Sequence, residues 1–219
     1  MSNKVIAIDG PSASGKSTVA RKVAARLGSI YVDSGALYRG IAWKAVEMGS
    51  NTASPTEVIA AMSRMAVTFF VEGEAVRYRI DGYEPQDEIR TEKVSEHVSL
   101  VAAIPEVRAQ ITTWLQAMIR FGNLVMEGRD IGTVVFPGAA AKFYLDASPE
   151  ERARRRHAEL KPADEPKDVG KVMVSLANRD KLDSGRKTAP LKLAPDAQVV
   201  DTTGLNIDQV VAEILRRIG

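Results

Sequence analysis

The amino-acid sequence predicts an α/β fold of three layers, in which a parallel sheet lies between helices. Short apolar runs such as Val5 to Asp9, which predict strands, alternate with longer stretches in which apolar residues recur at helical spacing. This alternation is typical of a parallel sheet whose strands are connected by helices. The chain has 219 residues, and a typical domain has about 150. We therefore expect one sizeable domain, residues 1–219, that carries an insertion.

The composition is that of a globular protein and excludes several classes. Hydrophobic residues make up 45% and charged residues 26%, unlike a disordered, collagen-like or coiled-coil chain. No apolar run approaches the about 18 residues of a membrane span, and the first ends at Asp9, too early for a secretory signal. We therefore expect a cytoplasmic protein without membrane contacts. The lack of cysteine excludes disulfides and thiol nucleophiles, and His97 and His157 are too far apart to suggest a metal site.

The first sixty residues predict two strand and helix pairs and one further helix. The strand from Val5 to Asp9 leads through a glycine-rich turn into a helix from Gly15 to Leu27, and Ile30 to Val32 predicts the next strand. Helical spacing resumes from Leu37 to Val46 and again after Pro55.

Residues 66–90 interrupt this alternation. Thr68 to Val71, Val76 to Ile80 and then Tyr83 predict a small antiparallel meander, with turns at Glu72 to Glu74 and at Asp81-Gly82. We interpret this segment as a subdomain inserted into the parallel-sheet domain.

The rest of the chain returns to alternating helices and strands. Ser148 is a strong helix start, because Pro149 follows it in the first turn and Glu151 stands at the capping-box position. Further helical patterns run over 94–101, 105–118 and 207–218, and the strand-like runs are 124–126, 141–145 and 199–201.

Basic residues are concentrated between Arg152 and Lys187, where eleven Lys and Arg residues stand against six Asp and Glu. The segment has no aromatic residue to stack on a base, so a small phosphate-rich ligand is favoured over a nucleic acid. Arg152, Arg155 and Arg156 fall within one arc of about 100° on a helix. They could instead form a solvated face that pairs with nearby glutamates, Glu150, Glu151 and Glu159.

The residues between the first strand and the first helix fit the phosphate-binding pattern G-x-x-x-x-G-K-[ST]. Backbone N–H groups converge on a phosphate there, and the helix N-terminus adds its positive end. Lys16 is expected to bridge the β- and γ-phosphates of ATP, and Ser17 to ligate Mg²⁺. The expected core is thus that of a P-loop NTPase. The candidate ATP-binding residues are Gly10, Pro11, Ser12, Ala13, Ser14, Gly15, Lys16, Ser17, Thr18 and Arg152.

Other P-loop classes lack support in the sequence. No N-K-x-D guanine signature occurs, and the D-x-x-G match at Asp201 to Gly204 lies too late in the chain for a switch GTPase. No strand ends in an Asp-Glu pair of the kind found in ATPase motors. A small P-loop protein with a second basic site therefore indicates phosphoryl transfer to an acceptor.

Several motifs beyond the P-loop carry a resemblance to a known family. They are Asp33 to Arg39, Ile89 to Thr91, Ser99 to Arg108, Gly128 to Pro137, Arg179 to Asp183, and Arg186 with Ala189-Pro190-Leu191. With these motifs the chain, from Val5 to about Thr203, resembles the bacterial cytidylate kinases. Glu127 departs from the family pattern, in which Asp often precedes Gly-Arg-Asp, and residues 160–174 match nothing in it.

The resemblance implies an enzyme that uses Mg-ATP to phosphorylate CMP and dCMP. It places residues 66–90 on the acceptor side, as the part that binds the nucleoside monophosphate, and makes residues 152–187 a mobile helical lid. By the same resemblance Ser34, Arg39 and Arg129 hold the acceptor phosphate, Ser99, Arg108 and Asp130 face the cytosine, and Asp183 and Arg186 lie beside the ribose and phosphate.

Chemistry agrees with these assignments. A carboxylate at Asp130 accepts from the N4 amino group of cytosine and repels the oxygen that uracil carries there. The expected reaction is in-line attack of a CMP phosphate oxygen on the γ-phosphorus, without a general base. The expected catalytic cations are Lys16, Arg129, Arg186, Arg155 and Arg156, together with Mg²⁺.

Two alternatives remain open from the sequence. One is a P-loop phosphotransferase for another nucleoside monophosphate or a small metabolite, in which Asp33 is the candidate base for a hydroxyl acceptor. The other is a nucleotide-dependent switch that binds nucleic acid through the basic segment. Ser99 could also be a small packing residue. We expect a monomer that binds small molecules and no nucleic acid.

Overall fold

The computed structural model describes residues 3–159 and 168–219. Within these ranges the strands form one seven-stranded sheet in the order β3-β4-β2-β5-β1-β6-β7. All neighbouring strands pair in parallel except β3 with β4. The strands are β1 Val5–Asp9, β2 Ile30–Asp33, β3 Val67–Glu72, β4 Ala75–Ile80, β5 Leu124–Gly128, β6 Ala141–Asp146 and β7 Gln198–Asp201.

Helices connect most of the parallel strands, as the alternating pattern predicts. Ser148 accepts a hydrogen bond from the Glu151 N–H, which confirms the start predicted for α6. No helix in the described part of the chain is long and apolar enough to span a membrane. The helices are α1 Lys16–Arg26, α2 Ser34–Glu47, α3 Pro55–Met62, α4 Glu92–Val101, α5 Pro105–Ala117, α6 Pro149–Ala158, α7 Val169–Gly185 and α8 Ile207–Ile218.

Two apolar cores lie on opposite faces of the sheet. Val5 and Ala7 of β1 belong to the core packed against α2 to α5, and Ile6 and Ile8 belong to the core packed against α1 and α8. Successive side chains of a strand point to opposite faces, so a strand buried on both sides is apolar throughout. The predicted three-layer α/β fold with a parallel central sheet is confirmed.

The antiparallel pair β3 and β4 continues the central sheet at its edge. Val67 pairs with Ile80 and Glu72 with Ala75, and β4 meets β2 through the pairing of Tyr31 with Ala75. Tyr83 was expected to begin a third strand of a meander, but it makes only an isolated bridge to Ile80. The tight Asp81-Gly82 turn brings it there, and Pro85 then lacks the N–H that a longer ladder needs.

The described parts of segment 152–187 are two helices that pack together. Ala153 of α6 is buried against Val172 and Leu176 of α7. The middle of the predicted lid, residues 160–167, lies outside the described residues. The helix α7 was not predicted, because its start at Asp168 has no side-chain cap and much of its surface is exposed or polar.

Candidate active site

The P-loop joins β1 to α1 in a conformation that demands small residues. A Cβ on Gly10 would lie 2.1 Å from the carbonyl oxygen of Leu145, and Ala13 and Gly15 both have positive φ angles, 60° and 85°. The Lys16 ammonium folds back and donates a 3.0 Å hydrogen bond to the carbonyl oxygen of Pro11. The loop therefore encircles its lysine at the carboxyl edge of the sheet, where ligands of open α/β sheets bind.

Glu127 lies directly beside the P-loop, on the neighbouring strand β5. Its Oε1 accepts a 2.6 Å hydrogen bond from the Ser17 hydroxyl and a 3.3 Å one from Tyr31, and its Oε2 lies 4.0 Å from the Lys16 ammonium. Burial, followed by the charge of Asp33, raises the pKa of Glu127. Burial, followed by the charge of Arg129, lowers the pKa of Lys16. A phosphate bound here would add a further counter-charge to this buried lysine and favour its charged form.

A cleft opens above Lys16, between the ends of the strands and helices α2, α4 and α7. It brings together every residue that the sequence assigned to the acceptor nucleotide, although they come from five separate stretches of the chain. The cleft is lined by Lys16, Ser17, Asp33, Ser34, Gly35, Tyr38, Arg39, Val98, Ser99, Ala102, Arg108, Glu127, Gly128, Arg129, Asp130, Arg179, Asp183 and Arg186.

One end of the cleft holds a buried pair of opposite charges, Arg108 and Asp130, which are 2% and 4% exposed. The guanidinium donates through Nη2 to Asp130 Oδ2 and through Nη1 to the carbonyl oxygen of Ala102 at 3.1 Å. The ring of Tyr38 lies 5.2 Å from the guanidinium carbon. These contacts fix the orientation of the guanidinium of Arg108 and of the carboxylate of Asp130. Two planar groups in fixed orientation are suited to recognition of the edge of a flat base.

The other end of the cleft is formed by Asp33, Arg39 and Ser34, at the junction of β2 and α2. Arg39 lies 3.3 Å from Asp33, and the Ser34 hydroxyl donates to the carbonyl oxygen of Glu127 at 2.7 Å. Burial opposes the charge of Asp33, but Arg39 and the N–H of Ala36 together hold its pKa below the ordinary value. The Asp33 carboxylate is therefore already engaged by Arg39 and by the Ala36 N–H.

Arg129 connects the P-loop to α7. Its Nη2 donates to the Ser12 hydroxyl at 2.8 Å, and its Nε donates to Asp183 Oδ2 at 3.0 Å. Arg186 donates to the carbonyl oxygen of Asp183 at 3.1 Å, and its buried Nη2 has no hydrogen-bond partner among the described residues. Burial disfavours the charge of Asp183, yet Arg129 and Arg186 keep its pKa low. Two cations thus converge on the cleft, with donors that a phosphate can engage.

The three α6 arginines that the sequence grouped on one arc, Arg152, Arg155 and Arg156, do not share one site. Arg152 donates to Asp180 and, at 3.3 Å, to the carbonyl oxygen of Ser12. Arg155 donates to Thr202 and to the carbonyl oxygen of Ser14, behind the P-loop.

Arg156 pairs with Glu159 at 3.3 Å and lines a neighbouring pocket between α4 and α7. Neither Arg155 nor Arg156 lines the cleft that holds Lys16. The spacing correctly separated Arg154, which is exposed and pairs with Glu151. It could not show that Arg155 faces backbone carbonyls, since that depends on where β7 ends.

Two charged residues of the cleft were given no role from the sequence, Arg179 and Glu127. Arg179 points from α7 into the cleft, and its buried Nε has no hydrogen-bond partner among the described residues. Burial, with Arg129 next in strength, lowers its pKa to about 10. The signal for Glu127 was its place at the end of an apolar strand before Gly-Arg-Asp. The signal for Arg179 was its place in the family motif Arg179 to Asp183, from which only Asp183 was given a role.

The family model described as cytidylate kinase matches residues 6–219. The chain belongs to the cytidylate kinase family. A cytidylate kinase of Shouchella clausii strain KSM-K16 is 45% identical over 212 residues, which cover 96% of this chain and 93% of the relative. One of Geobacillus kaustophilus strain HTA426 is 42% identical over 210 residues, covering 96% and 94%. The resemblance stated from the motifs is confirmed, and the chain is a kinase of this family.

A solved structure with the same fold comes from another kinase. Shikimate kinase from Bacteroides thetaiotaomicron has a TM-score of 0.51 with this chain at 11% sequence identity, and 98% of each chain is covered. This likeness confirms the P-loop kinase fold and carries no information on the substrate.

Proposed function

We propose that this kinase transfers the γ-phosphoryl group of Mg-ATP to CMP and dCMP, giving ADP and CDP or dCDP. The observation that carries the proposal is the buried pair of Arg108 and Asp130, which shares one cleft with the P-loop lysine, Lys16. The family supplies the expected acceptor, and this pair supplies a physical reason for choosing cytosine.

Base recognition rests on the geometry of Asp130. Its Oδ2 is engaged by Arg108, and we assign Oδ1 to the N4 amino group of cytosine. Uracil presents an oxygen at that position, and this would place one hydrogen-bond acceptor directly against another. Ser99 lines the same part of the cleft from α4 and is assigned to the base edge as well. A buried site that loses its hydrogen-bond partner rejects the wrong base strongly.

The acceptor phosphate is assigned to Ser34, Arg39 and Arg129, and the ribose to Asp183 with Arg186 beside it. The acceptor oxygen of CMP is already ionised, so no proton has to be removed before attack. Catalysis then consists of orientation and charge stabilisation by Lys16 and the arginines of the cleft. We add Arg179 to these cations, because it lines the cleft with a buried, unpaired donor.

The pair of Ser17 and Glu127 fits a magnesium ion. A hydroxyl and a carboxylate oxygen 2.6 Å apart are hard ligands of the kind that Mg²⁺ prefers. Among the described residues no group of three or more acidic, histidine or cysteine side chains gathers into a metal cage. This agrees with an ion that shares its coordination with substrate phosphates. When bound, Mg²⁺ would neutralise charge on the β- and γ-phosphate oxygens.

We assign the remaining parts of the chain by the same logic. Residues 66–90, at the sheet edge beside β2, form the acceptor side, and α6 and α7 are the described parts of a lid over residues 152–187. Arg152 and Arg155 contact the P-loop backbone and are assigned to the ATP side. These internal contacts engage two of the basic residues of the segment within the protein itself, which counts against their use in a nucleic-acid switch. A monomeric, cytoplasmic enzyme remains our prediction.

Calorimetric titration of CMP and of UMP into the protein tests the choice of acceptor. We expect CMP to bind at least about tenfold more tightly, the effect of one well-placed base contact. Equal affinities would contradict the assignment of Asp130 and Arg108 to the base.

A further inference from the structure

Asp9 is the last residue of β1, and its carboxylate is buried, with the residue 5% exposed. Its two oxygens accept hydrogen bonds from two successive backbone N–H groups. Oδ1 accepts from Ile131 at 2.9 Å and Oδ2 from Gly132 at 2.8 Å. A carboxylate that receives two consecutive amides fixes the direction of the peptide segment that carries them.

The position of this contact connects the two halves of the active site. Asp9 immediately precedes Gly10, the first residue of the P-loop, and Ile131 immediately follows Asp130. Asp130 stands at the start of a single π-helical turn, Ile131–Val135, with φ −146° and ψ 23°. Asp130 therefore directly precedes a turn whose first two backbone N–H groups, those of Ile131 and Gly132, are bound by Asp9.

The turn packs closely around this contact. A Cβ on Gly132 would lie 3.1 Å from Lys142 Cδ and 3.4 Å from Asp9 Oδ2. The pKa of Asp9 is raised to about 6 by burial, and the nearby charge of Asp130 also raises it, while the two amides and Arg129 oppose the rise. The carboxylate is thus ionised at neutral pH and accepts both N–H groups.

We propose that Asp9 is a positioning residue for acceptor choice, which holds the turn after Asp130 so that the Asp130 carboxylate faces the base. The proposal rests on the proposed function, in which Asp130 selects cytosine. Asp9 touches neither nucleotide in this account and acts through the backbone of Ile131 and Gly132. Loss of the Asp9 charge should therefore impair discrimination between CMP and UMP more than it impairs ATP binding at the P-loop.

The test is the substitution Asp9→Asn. Asparagine keeps the shape of the side chain, but its NH₂ group replaces one of the two accepting oxygens and faces a backbone N–H. We expect the ratio of kcat/KM for CMP to that for UMP to fall about tenfold or more. The loss should come mainly from a higher KM for CMP. The Kd of a fluorescent ATP analogue with Mg²⁺, measured without acceptor, should stay within about twofold of the wild-type value.

Asp146→Asn is the matched control. Asp146 ends the neighbouring strand β6 in the same way, but it is exposed and its side chain accepts from its own neighbour, the Ala147 N–H. This variant should leave the CMP to UMP ratio unchanged. Should Asp9→Asn fail to fold, Gly132→Ala replaces it, because its Cβ crowds Asp9 Oδ2 and shifts the same amide. It should lower the ratio in the same direction by a smaller factor.

One outcome would overturn the proposal: an unchanged CMP to UMP ratio in the folded variant. If kcat/KM has fallen equally with both acceptors, the role of Asp9 is a general structural one; if it has not fallen, Asp9 has no role in the reaction. The wild-type ratio is measured first. If the wild type itself does not prefer CMP, the proposed function has failed; if it does and the variant keeps that preference, only the role of Asp9 has failed.

Discussion

The Ser17 hydroxyl donates a 2.6 Å hydrogen bond to Oε1 of Glu127, across 110 positions of sequence. The first residue stands at the start of α1 and the second near the end of β5, which pairs in register with both β1 and β2. The register places Glu127 opposite Asp33 on β2 and opposite Ile8 on β1. The strand register therefore brings a carboxylate to the P-loop hydroxyl, and these are the two groups that we assign to Mg²⁺.

Glu127→Gln should weaken the use of magnesium. An amide keeps the size of the side chain but loses the charge that orients Ser17 and attracts the ion. We expect the Mg²⁺ concentration for half-maximal activity to rise about tenfold, as is usual when a partner of a metal ligand is neutralised. Glu127→Asp, which keeps the charge, is the control and should shift this concentration less. An unchanged magnesium dependence in Glu127→Gln would exclude the site.

Lys16→Ala should abolish turnover and leave the fold intact. Lys16 is buried, with the residue 7% exposed, and burial opposes its charge, so the substitution also removes a charge that folding has to desolvate. We expect kcat to fall by about 10³-fold, as charge stabilisation of the transferred group is lost. Circular dichroism should be unchanged, and Tm should stay within about 3 °C of the wild-type value. Activity close to the wild-type value would contradict the role assigned to the P-loop lysine in phosphoryl transfer.

Asp130→Asn should erode the preference for CMP over UMP by more than it lowers the rate with UMP. The amide can offer a donor to the uracil oxygen, so the ratio of kcat/KM values should fall about tenfold or more. Arg108 loses its buried counter-charge, and stability should fall by about 3 kcal/mol, to be measured by urea unfolding.

Asp180→Asn is the matched control for that experiment. Asp180 forms a comparable pair with Arg152, away from the base end of the cleft. It should lower stability as well, while the CMP to UMP ratio stays at the wild-type value. A ratio that does not change in Asp130→Asn would show that cytosine is recognised elsewhere.

The stability of the protein should carry a pH dependence that belongs to Asp9. Burial raises the pKa of Asp9 from 3.8 to about 6, so between these values the folded state binds a proton that the unfolded state has lost. Stability from this group is therefore greatest below pH 4 and declines by about 3 kcal/mol as the pH rises through 6.

Subtraction of the Asp9→Asn variant isolates this effect, because Glu127, Asp33 and Asp183 titrate in both proteins. Urea unfolding at several values between pH 4.5 and 7 should show the wild type losing stability relative to the variant as pH rises. A difference that is constant with pH, or that increases, would contradict the assigned ionisation.

Local signals were sufficient for the strands of the parallel sheet and for the P-loop. The strand from Val5 to Asp9, the glycine-rich turn and the capped start at Ser148 each depend on neighbouring residues, and all three lie where the sequence placed them. The eight acceptor residues came from family motifs, and one cleft collects them all.

The features that could not be predicted from the sequence depend on contacts between elements that are distant along the chain. Arg155 was expected beside the phosphates, but the end of β7 brings Thr202 to its guanidinium instead. Glu127 and Arg179 acquire their setting from the strand register and from the packing of α7. The π-helical turn after Asp130 has no local signature, because Asp9 holds it from 122 positions away.

The most direct test of the account is ADP release from Mg-ATP with one acceptor at a time: CMP, dCMP, UMP, AMP, GMP and dTMP, beside a control without acceptor. We predict release that is confined to, or strongly favours, CMP and dCMP. Preferential release with another acceptor would keep the phosphotransferase but contradict the cytosine assignment of Asp130. Release with none of them would contradict the proposed function itself.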